Sequence, residues 1–216
     1  MKEAFNTVFE GGTAEIVMKK SRFIATVQPV HTEEEAIDFI DGLKKKYWDA
    51  SHNCSAYIIG TENPILRCSD DGEPSKTAGR PMLDVLLARG LTDLVVVVTR
   101  YFGGTLLGTG GLVKAYQSAT VEGLNQSRVI TKQLGIKLQV TTDYNTLGKL
   151  QYLAAQEQIT ILSADYTELV LLHLLVPPSK FDNLSIKMAE LSNGSAILET
   201  LGQVYFTMLD GKVHLL

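Results

Sequence analysis

The sequence predicts an α+β protein of two domains, and three observations carry that prediction. Beyond Ser127 the glycines thin out and the apolar patterning restarts, which divides the chain into residues 1–128 and 129–216. The second part reads as β-α-β-β-α-β, the split βαβ or ferredoxin-like unit. The first reads as strands with a crossing helix, then helix, strand and helix, around one unbroken apolar run, Leu94-Val95-Val96-Val97-Val98.

Taken in order, Glu15 to Val30 alternates as a strand, with Phe23, Ala25 and Val27 on one face and Ile24 and Thr26 on the other. Thr32, with Glu35 three positions on, forms a capping box for a helix whose apolar stripe is Ala36, Ile40, Leu43 and Tyr47. Glu33 and Glu34 at its start and Lys44, Lys45 and Lys46 near its end complement the helix dipole, so the lysines read as a solvated helix end. Cys54 to Gly60 and Ile65 to Ser69 read as a hairpin in which Gly60 faces Ile65 and Cys68 faces Tyr57. Pro81 suits the first turn of a helix burying Met82, Val85, Leu86 and Leu87 and stopping at Gly90. Leu94 to Val98 lacks polar alternation and is expected at the centre of its sheet, buried on both faces. A third helix is expected from about Leu112 to Asn125. In the second part, Leu134 to Thr142 is a strand, Asp143 caps a helix to about Gln158, and Ile159 to Ala164 and Glu168 to Val176 are strands. A helix from Ser179 then buries Phe181, Leu184, Met188 and Leu191 and stops at Asn193-Gly194. Ala196 to Leu209 is the last strand, with a turn at Asp210-Gly211.

The 216 residues, 45% hydrophobic and 20% charged, are those of an ordinary globular protein with material for a core. A net charge of -4 excludes whole-surface binding of nucleic acid but leaves room for a local basic groove. Two cysteines, Cys54 and Cys68, are too few for a disulfide framework and are expected as buried free thiols in a reducing compartment. No segment has signal-peptide or membrane-spanning character, which gives the expectation of a cytoplasmic protein without a membrane partner.

The chemistry concentrates between Asp70 and Tyr116. Glycines at 103, 104, 108, 110 and 111 lie between a strand and a helix, where backbone N–H groups can turn toward an anion. Arg100, Tyr101, Lys114, Lys76, Thr77 and Arg80 complete the candidate ligand or phosphate site, and Arg100 leads because a planar fork can hold a phosphate bidentately. The glycine loop fits neither a P-loop nor a dinucleotide fingerprint: no Gly-Lys-Ser/Thr ends it, and Val113 stands where a third glycine belongs. Tight turns and close packing are the other use of such glycines. The acidic cluster Asp70, Asp71 and Glu73 reads either as turn chemistry with salt bridges to Arg80 or Arg100, or as oxygen ligands for Mg²⁺. His52, in the polar run Ser51-His52-Asn53, is a further candidate, whereas His173 reads as a core or edge-strand residue. Tyr101 and Phe102 stack a base or end a buried strand. No zinc pattern and no nucleophile announce themselves, so no cofactor is expected beyond the Mg²⁺ option, and a catalytic residue stays unassigned.

The order of Asp-Gly-Glu-Pro at 71–74, Thr77-Ala78-Gly79, Arg100-Tyr101-Phe102-Gly103-Gly104 and Leu107-Gly108-Thr109-Gly110-Gly111-Leu112 resembles the YigZ/IMPACT family. Arg22-Phe23-Ile24-Ala25 and Ser51-His52-Asn53-Cys54 match its upstream pattern. Lys76 departs from it, standing where the family has a small residue, usually Gly. The resemblance implies a ribosomal-protein domain-two-like fold for the first domain, shared with domain four of elongation factor G and the ribonuclease P protein component. It implies a second domain similar to the last domain of elongation factor G. It also implies a link to translation, since eukaryotic relatives regulate translational control by binding an activator of a stress kinase. That partner is not carried over, because this chain has the ferredoxin-like unit at its C-terminal end. The expected function is therefore a translation-linked binding protein that holds RNA, the ribosome or another anionic ligand in a glycine-rich basic groove. A groove that docks a protein segment is the further partner expectation, and a Mg²⁺-dependent enzyme on a phosphorylated small molecule or nucleotide is the alternative.

Overall fold

The computed structural model describes residues 2–216. The chain forms two compact units, Met1–Thr131 and Lys132–Leu216. In the first, β1 (Ala4–Glu10), β2 (Thr13–Met18) and β3 (Ser21–Pro29) precede α1 (Glu33–Lys46). β4 (His52–Ile59), β5 (Ile65–Ser69), α2 (Gly79–Ala88), β6 (Leu94–Tyr101) and α3 (Thr109–Asn125) follow. An antiparallel sheet in the order β2-β3-β6-β4-β5 puts β6 at its centre.

The uninterrupted apolar run has two destinations. Val95 and Val97 pack with Tyr57 and Ile59 against Ala36 and Leu43 of α1. Leu94, Val96 and Val98 join Phe23, Ala25 and Val27 against Met82 and Leu86 of α2 and Leu112, Ala115 and Tyr116 of α3. A strand covered on both faces has no polar alternation to show.

Several boundaries differ from expectation. Residues 15–30 are two strands: Lys19 and Lys20, at φ 45° and 67°, make a two-residue hairpin turn that pairs Met18 with Ser21. β1 was not expected at all. The β4–β5 register is one residue off, with Ala56 rather than Tyr57 opposite Cys68. The cause is Gly60, whose N–H donates to Asp93 Oδ1 at 2.8 Å and whose carbonyl accepts from Thr92 Oγ1 at 2.6 Å, so it never joins the ladder. Cys54 is buried but Cys68, on an edge strand, is exposed; both are free thiols. In α2, Leu83 is buried in place of Leu87. In α1, Thr32 accepts from the Glu35 N–H at 3.2 Å, while the Glu35 carboxylate reaches the His31 N–H at 2.6 Å rather than that of Thr32. α3 starts at Thr109, three residues early, because Gly108, at φ 74° and ψ 167°, serves as its N-cap.

The loop before α2 is organised by Asp70. Ala78, the N-cap of α2, offers no side-chain oxygen. Asp70 Oδ1 instead accepts from the N–H groups of Ala78 at 3.0 Å and Gly79 at 2.9 Å, and its Oδ2 from that of Lys76 at 2.8 Å. Lys76 has φ 63°, the left-handed region, where glycine would be unstrained and a side chain is not.

β7 (Arg128–Thr142) runs on into the second unit, which continues with α4 (Tyr144–Gln156), β8 (Thr160–Tyr166) and β9 (Val170–Val176). α5 (Pro178–Leu191), β10 (Ile197–Leu209) and β11 (Lys212–Leu215) complete it. The antiparallel order β10-β7-β9-β8 is the ferredoxin-like arrangement, to which β11 adds an edge strand through the Asp210-Gly211 turn. One sheet face packs Leu138, Val140, Leu172 and Leu174 against Leu150, Leu184 and Met188 of α4 and α5. Leu191 is exposed instead of buried. Asp143 caps α4, accepting from the Thr146 N–H at 2.7 Å. His173 is on an inner strand, half-buried, 3.3 Å from Asp165 Oδ2, and so is neither a core nor an edge-strand residue.

Two stability predictions arise here. Val96→Thr and Val97→Thr, on opposite faces of β6, should each lower unfolding free energy by about 1–3 kcal/mol in denaturant titrations, where a half-exposed strand would show only one such cost. Lys76→Gly should raise stability by about 0.5 kcal/mol, the relief of left-handed strain being offset in part by unfolded-chain entropy, while Lys76→Val should lower it by about 1 kcal/mol.

Candidate functional site

A cavity of about 560 Å³ opens where β4 begins and β6 ends, beside the β5–α2 loop and the start of α3. Its polar wall is His52, Glu73 and Arg100; its apolar wall is Pro74, Phe102, Leu106, Leu107 and Leu112; Gly108 and Thr109 bring the first turn of α3 to it.

Arg100 continues the β6 row of Leu94, Val96 and Val98 toward α2 and α3, which is why it is buried, at 6% exposure. Its Nη1 donates to Glu73 Oε1 at 2.6 Å and its Nη2 to Ser21 Oγ at 3.4 Å. The guanidinium lies between the rings of Phe23 and Phe102, 5.4 and 5.5 Å from their centres. Nε, wholly buried, has no hydrogen-bond partner among the described residues. The outer fork, expected to hold a phosphate, thus already has Glu73 and Ser21 as partners, and Nε is the guanidinium nitrogen without one among the described residues.

Glu73, 8% exposed, also accepts from Tyr116 Oη at 2.8 Å. Burial, with Cys54 and Glu73 close by, drives the Tyr116 phenol far above its ordinary range, so it stays a donor. Burial likewise raises the Cys54 thiol, whose Sγ donates to the Asp70 carbonyl at 3.0 Å. His52 Nδ1 is 2.8 Å from the Asp71 carbonyl oxygen, and Nε2 is 3.9 Å from Glu73 Oε2.

The acidic cluster does not act as one. Asp70 holds the loop as described, and Asp71 accepts from the Asn53 N–H at 2.6 Å and Lys44 Nζ at 2.8 Å. Lys44 is therefore turned onto Asp71 rather than left in solvent. Among the described residues no group of three or more His, Cys, Asp or Glu is placed to hold a metal ion.

The remaining sequence candidates disperse. Arg80 is exposed and pairs with Asp84 on its own helix at 2.8 Å. Thr77 is buried, donating to the Pro74 carbonyl at 2.6 Å. Lys76 and Lys114 are exposed and do not line the cavity. Tyr101 is tied by its Oη to Asp49 at 2.8 Å beneath Arg22, whereas Phe102 is half exposed on the cavity wall. The glycines divide their work. A side chain at Gly103 would strike the Lys20 carbonyl carbon at 2.0 Å, and Gly111 sits against Leu107, whereas a side chain at Gly110 would meet open space. Gly104, at φ 81°, turns the chain, and Gly108 begins the helix.

Ser21 and Tyr116 are site residues that the sequence did not reveal. The one signal for Tyr116 is a large polar ring amid the small residues Ala115 and Ala119 of an otherwise close-packed helix.

A larger cavity, about 740 Å³, lies between α4 and α5 beside Tyr152, Lys149 and Glu190, but its Lys187 is committed to Glu157 and it encloses no buried titratable pair. No helix among the described residues is long and apolar enough to cross a membrane.

The chain matches the Impact N-terminal domain over residues 19–124 and a domain of unknown function, DUF1949, over residues 140–195. It is 44% identical to the IMPACT family member YvyE of Bacillus subtilis over 196 residues, 91% of this chain and 90% of that protein. It is 38% identical to the IMPACT family member YigZ of Escherichia coli, over 82% of this chain and 88% of the relative. A crystal structure of a hypothetical protein, 35% identical, matches with a TM-score of 0.59 over 92% of this chain and 97% of its own. The motifs around Arg100 and the agreement along nearly the whole length lead to one conclusion: this chain belongs to the IMPACT family.

Proposed function

We propose that this protein is a translation-linked, cytoplasmic binding protein whose first unit takes an anionic group of an RNA ligand into the cavity beside Arg100. The observation that carries the reading is Arg100, whose buried Nε is unpartnered among the described residues and whose side chain lines the same cavity as the first turn of α3. α3 is 17 residues long, and its N-cap, Gly108, has no side chain to occupy the helix's opening N–H groups. Oriented amides and a guanidinium N–H on one cavity wall are an anion's natural partners. The net charge of -4 confines any such attraction to this locality. The translational role rests on family membership, through the regulatory part that the resemblance assigns to eukaryotic relatives. Fold likeness to pieces of elongation factor G adds only analogy. The reading as a Mg²⁺-dependent enzyme has less to stand on, since Asp70 and Asp71 spend their oxygens on loop and helix donors.

The test is fluorescence anisotropy with single-stranded RNA across a salt series. Gly110→Asp places a carboxylate in the first turn of α3, in open space, where it should leave folding intact or improve it. It should weaken RNA binding about tenfold and flatten the dependence of log K on log salt. Arg100→Ala is a poor probe, because it strands Glu73 in the interior and should cost about 3–5 kcal/mol in unfolding free energy. RNA affinity unchanged by Gly110→Asp at every salt concentration would remove the cavity from the proposal.

A further inference from the structure

We infer that the cavity recognises a ribonucleotide unit, with His52 and Glu73 together reading the ribose 2′-hydroxyl beside a bound phosphate. The inference rests on the function proposed above and gives its ligand a chemical identity.

The tautomer of His52 follows from its partner. The Asp71 carbonyl, 2.8 Å from Nδ1, can only accept, so Nδ1 carries a hydrogen. In the neutral imidazole Nε2 then presents a lone pair. Gly72 leaves room beside the ring, since a Cβ added there would stand 3.4 Å from Nδ1. Nε2 looks across 3.9 Å at Glu73 Oε2, a separation outside hydrogen-bond range. Glu73 Oε1 is already spent on Arg100 and Tyr116. With the ring neutral, two acceptors stand side by side on the cavity wall, and an O–H or N–H placed between them can share its one hydrogen with both in a three-centre bond.

The rest of the cavity asks for the opposite polarity. The Arg100 guanidinium and the N–H groups at the start of α3 are donors that favour an anion. Phe102, 49% exposed on the apolar wall, offers a flat face. A hydroxyl donor, a neighbouring anion and a stacking ring coincide in a ribonucleotide. Within a strand the 3′ oxygen is esterified, which leaves the 2′-hydroxyl as the free ribose donor, the group by which proteins tell RNA from DNA.

The experiment titrates the full chain with a short single-stranded oligoribonucleotide, the oligodeoxyribonucleotide of the same sequence and the 2′-O-methyl version, which keeps the oxygen and loses the donor. The ribo form should bind at least about tenfold tighter than both others, the loss expected when a site built for a hydroxyl meets an analogue without one. His52→Ala, at a partly exposed position, should bring the three affinities together by weakening the ribo form most. Competition by AMP would assign the site to free nucleotides and indifference to AMP would assign it to a strand; both keep the hydroxyl reading. Equal binding of the three oligonucleotides by the unmodified protein would overturn this inference and leave RNA binding standing. Binding of none of them, and of no AMP, would overturn it together with the function on which it rests.

Discussion

The contact on which the first unit turns is the buried meeting of Glu73, Arg100 and Tyr116. It joins three pieces of chain that share no backbone pairing: the β5–α2 loop, the end of β6 and the middle of α3. Phe23 closes the group, edge-on to Tyr116 with ring centres 5.2 Å apart and beneath the Arg100 guanidinium. Ion pairs in such places add little net stability, since desolvation cancels much of the Coulomb gain, yet losing one partner is expensive. Apolar residues of like volume would serve packing as well. A pair of this kind at the margin of a cavity is better understood as fixing the direction of its leftover atoms, Nε of Arg100 and Oε2 of Glu73, than as holding the fold together.

Backbone close approaches set the rest around it. Gly103 lets the chain leaving β6 rest on the β2–β3 turn, and its N–H donates to Ser21 Oγ at 3.1 Å, the oxygen that also receives Arg100 Nη2. Gly123 brings α3 down onto Ala25 and Val27 of β3, carrying Tyr116 to its carboxylate. The glycines of this region thus act by different means. Some allow close contact, some permit left-handed turns, and Gly110 leaves the helix start uncovered.

What could be read from the sequence follows physical lines. Period and capping were legible: the βαββαβ order, the Thr32 and Asp143 caps, and the central placement of β6 all depend on local or strongly patterned residues. The Lys19-Lys20 turn was not, because lysines carry no turn signal and only the positive φ values disclose it. The register of β4 on β5 was hidden because a distant loop, through Thr92 and Asp93, claims Gly60. Among the site residues, Arg100, Glu73, His52 and Gly108 converge on the cavity as their motif density implied. Lys76, Arg80 and Lys114 were grouped with them by charge and nearness in sequence, which says nothing of direction. Arg80 turns to Asp84 along its own helix, and Lys114 lies beyond the first turn of α3 on an exposed face. Ser21 lies 79 residues from Arg100, a separation at which single-sequence reasoning has no purchase.

This arrangement changes what kind of binding the cavity supports. Lysines clustered over a glycine loop would attract any polyanion, through net charge and with steep salt dependence. Here the cation on the cavity wall, Arg100, is neutralised by a carboxylate 2.6 Å away, and the remaining pull comes from the guanidinium hydrogens left over and the dipole of a helix start. Such groups act over short distances and in fixed directions. They contribute little to long-range capture and much to discrimination between ligands that place donors and acceptors differently. For the binding proposed here, an acidic chain with such a cavity would select its ligand by shape and hydrogen bonding after encounter, through geometry held by the buried triad rather than through the charge of its surface.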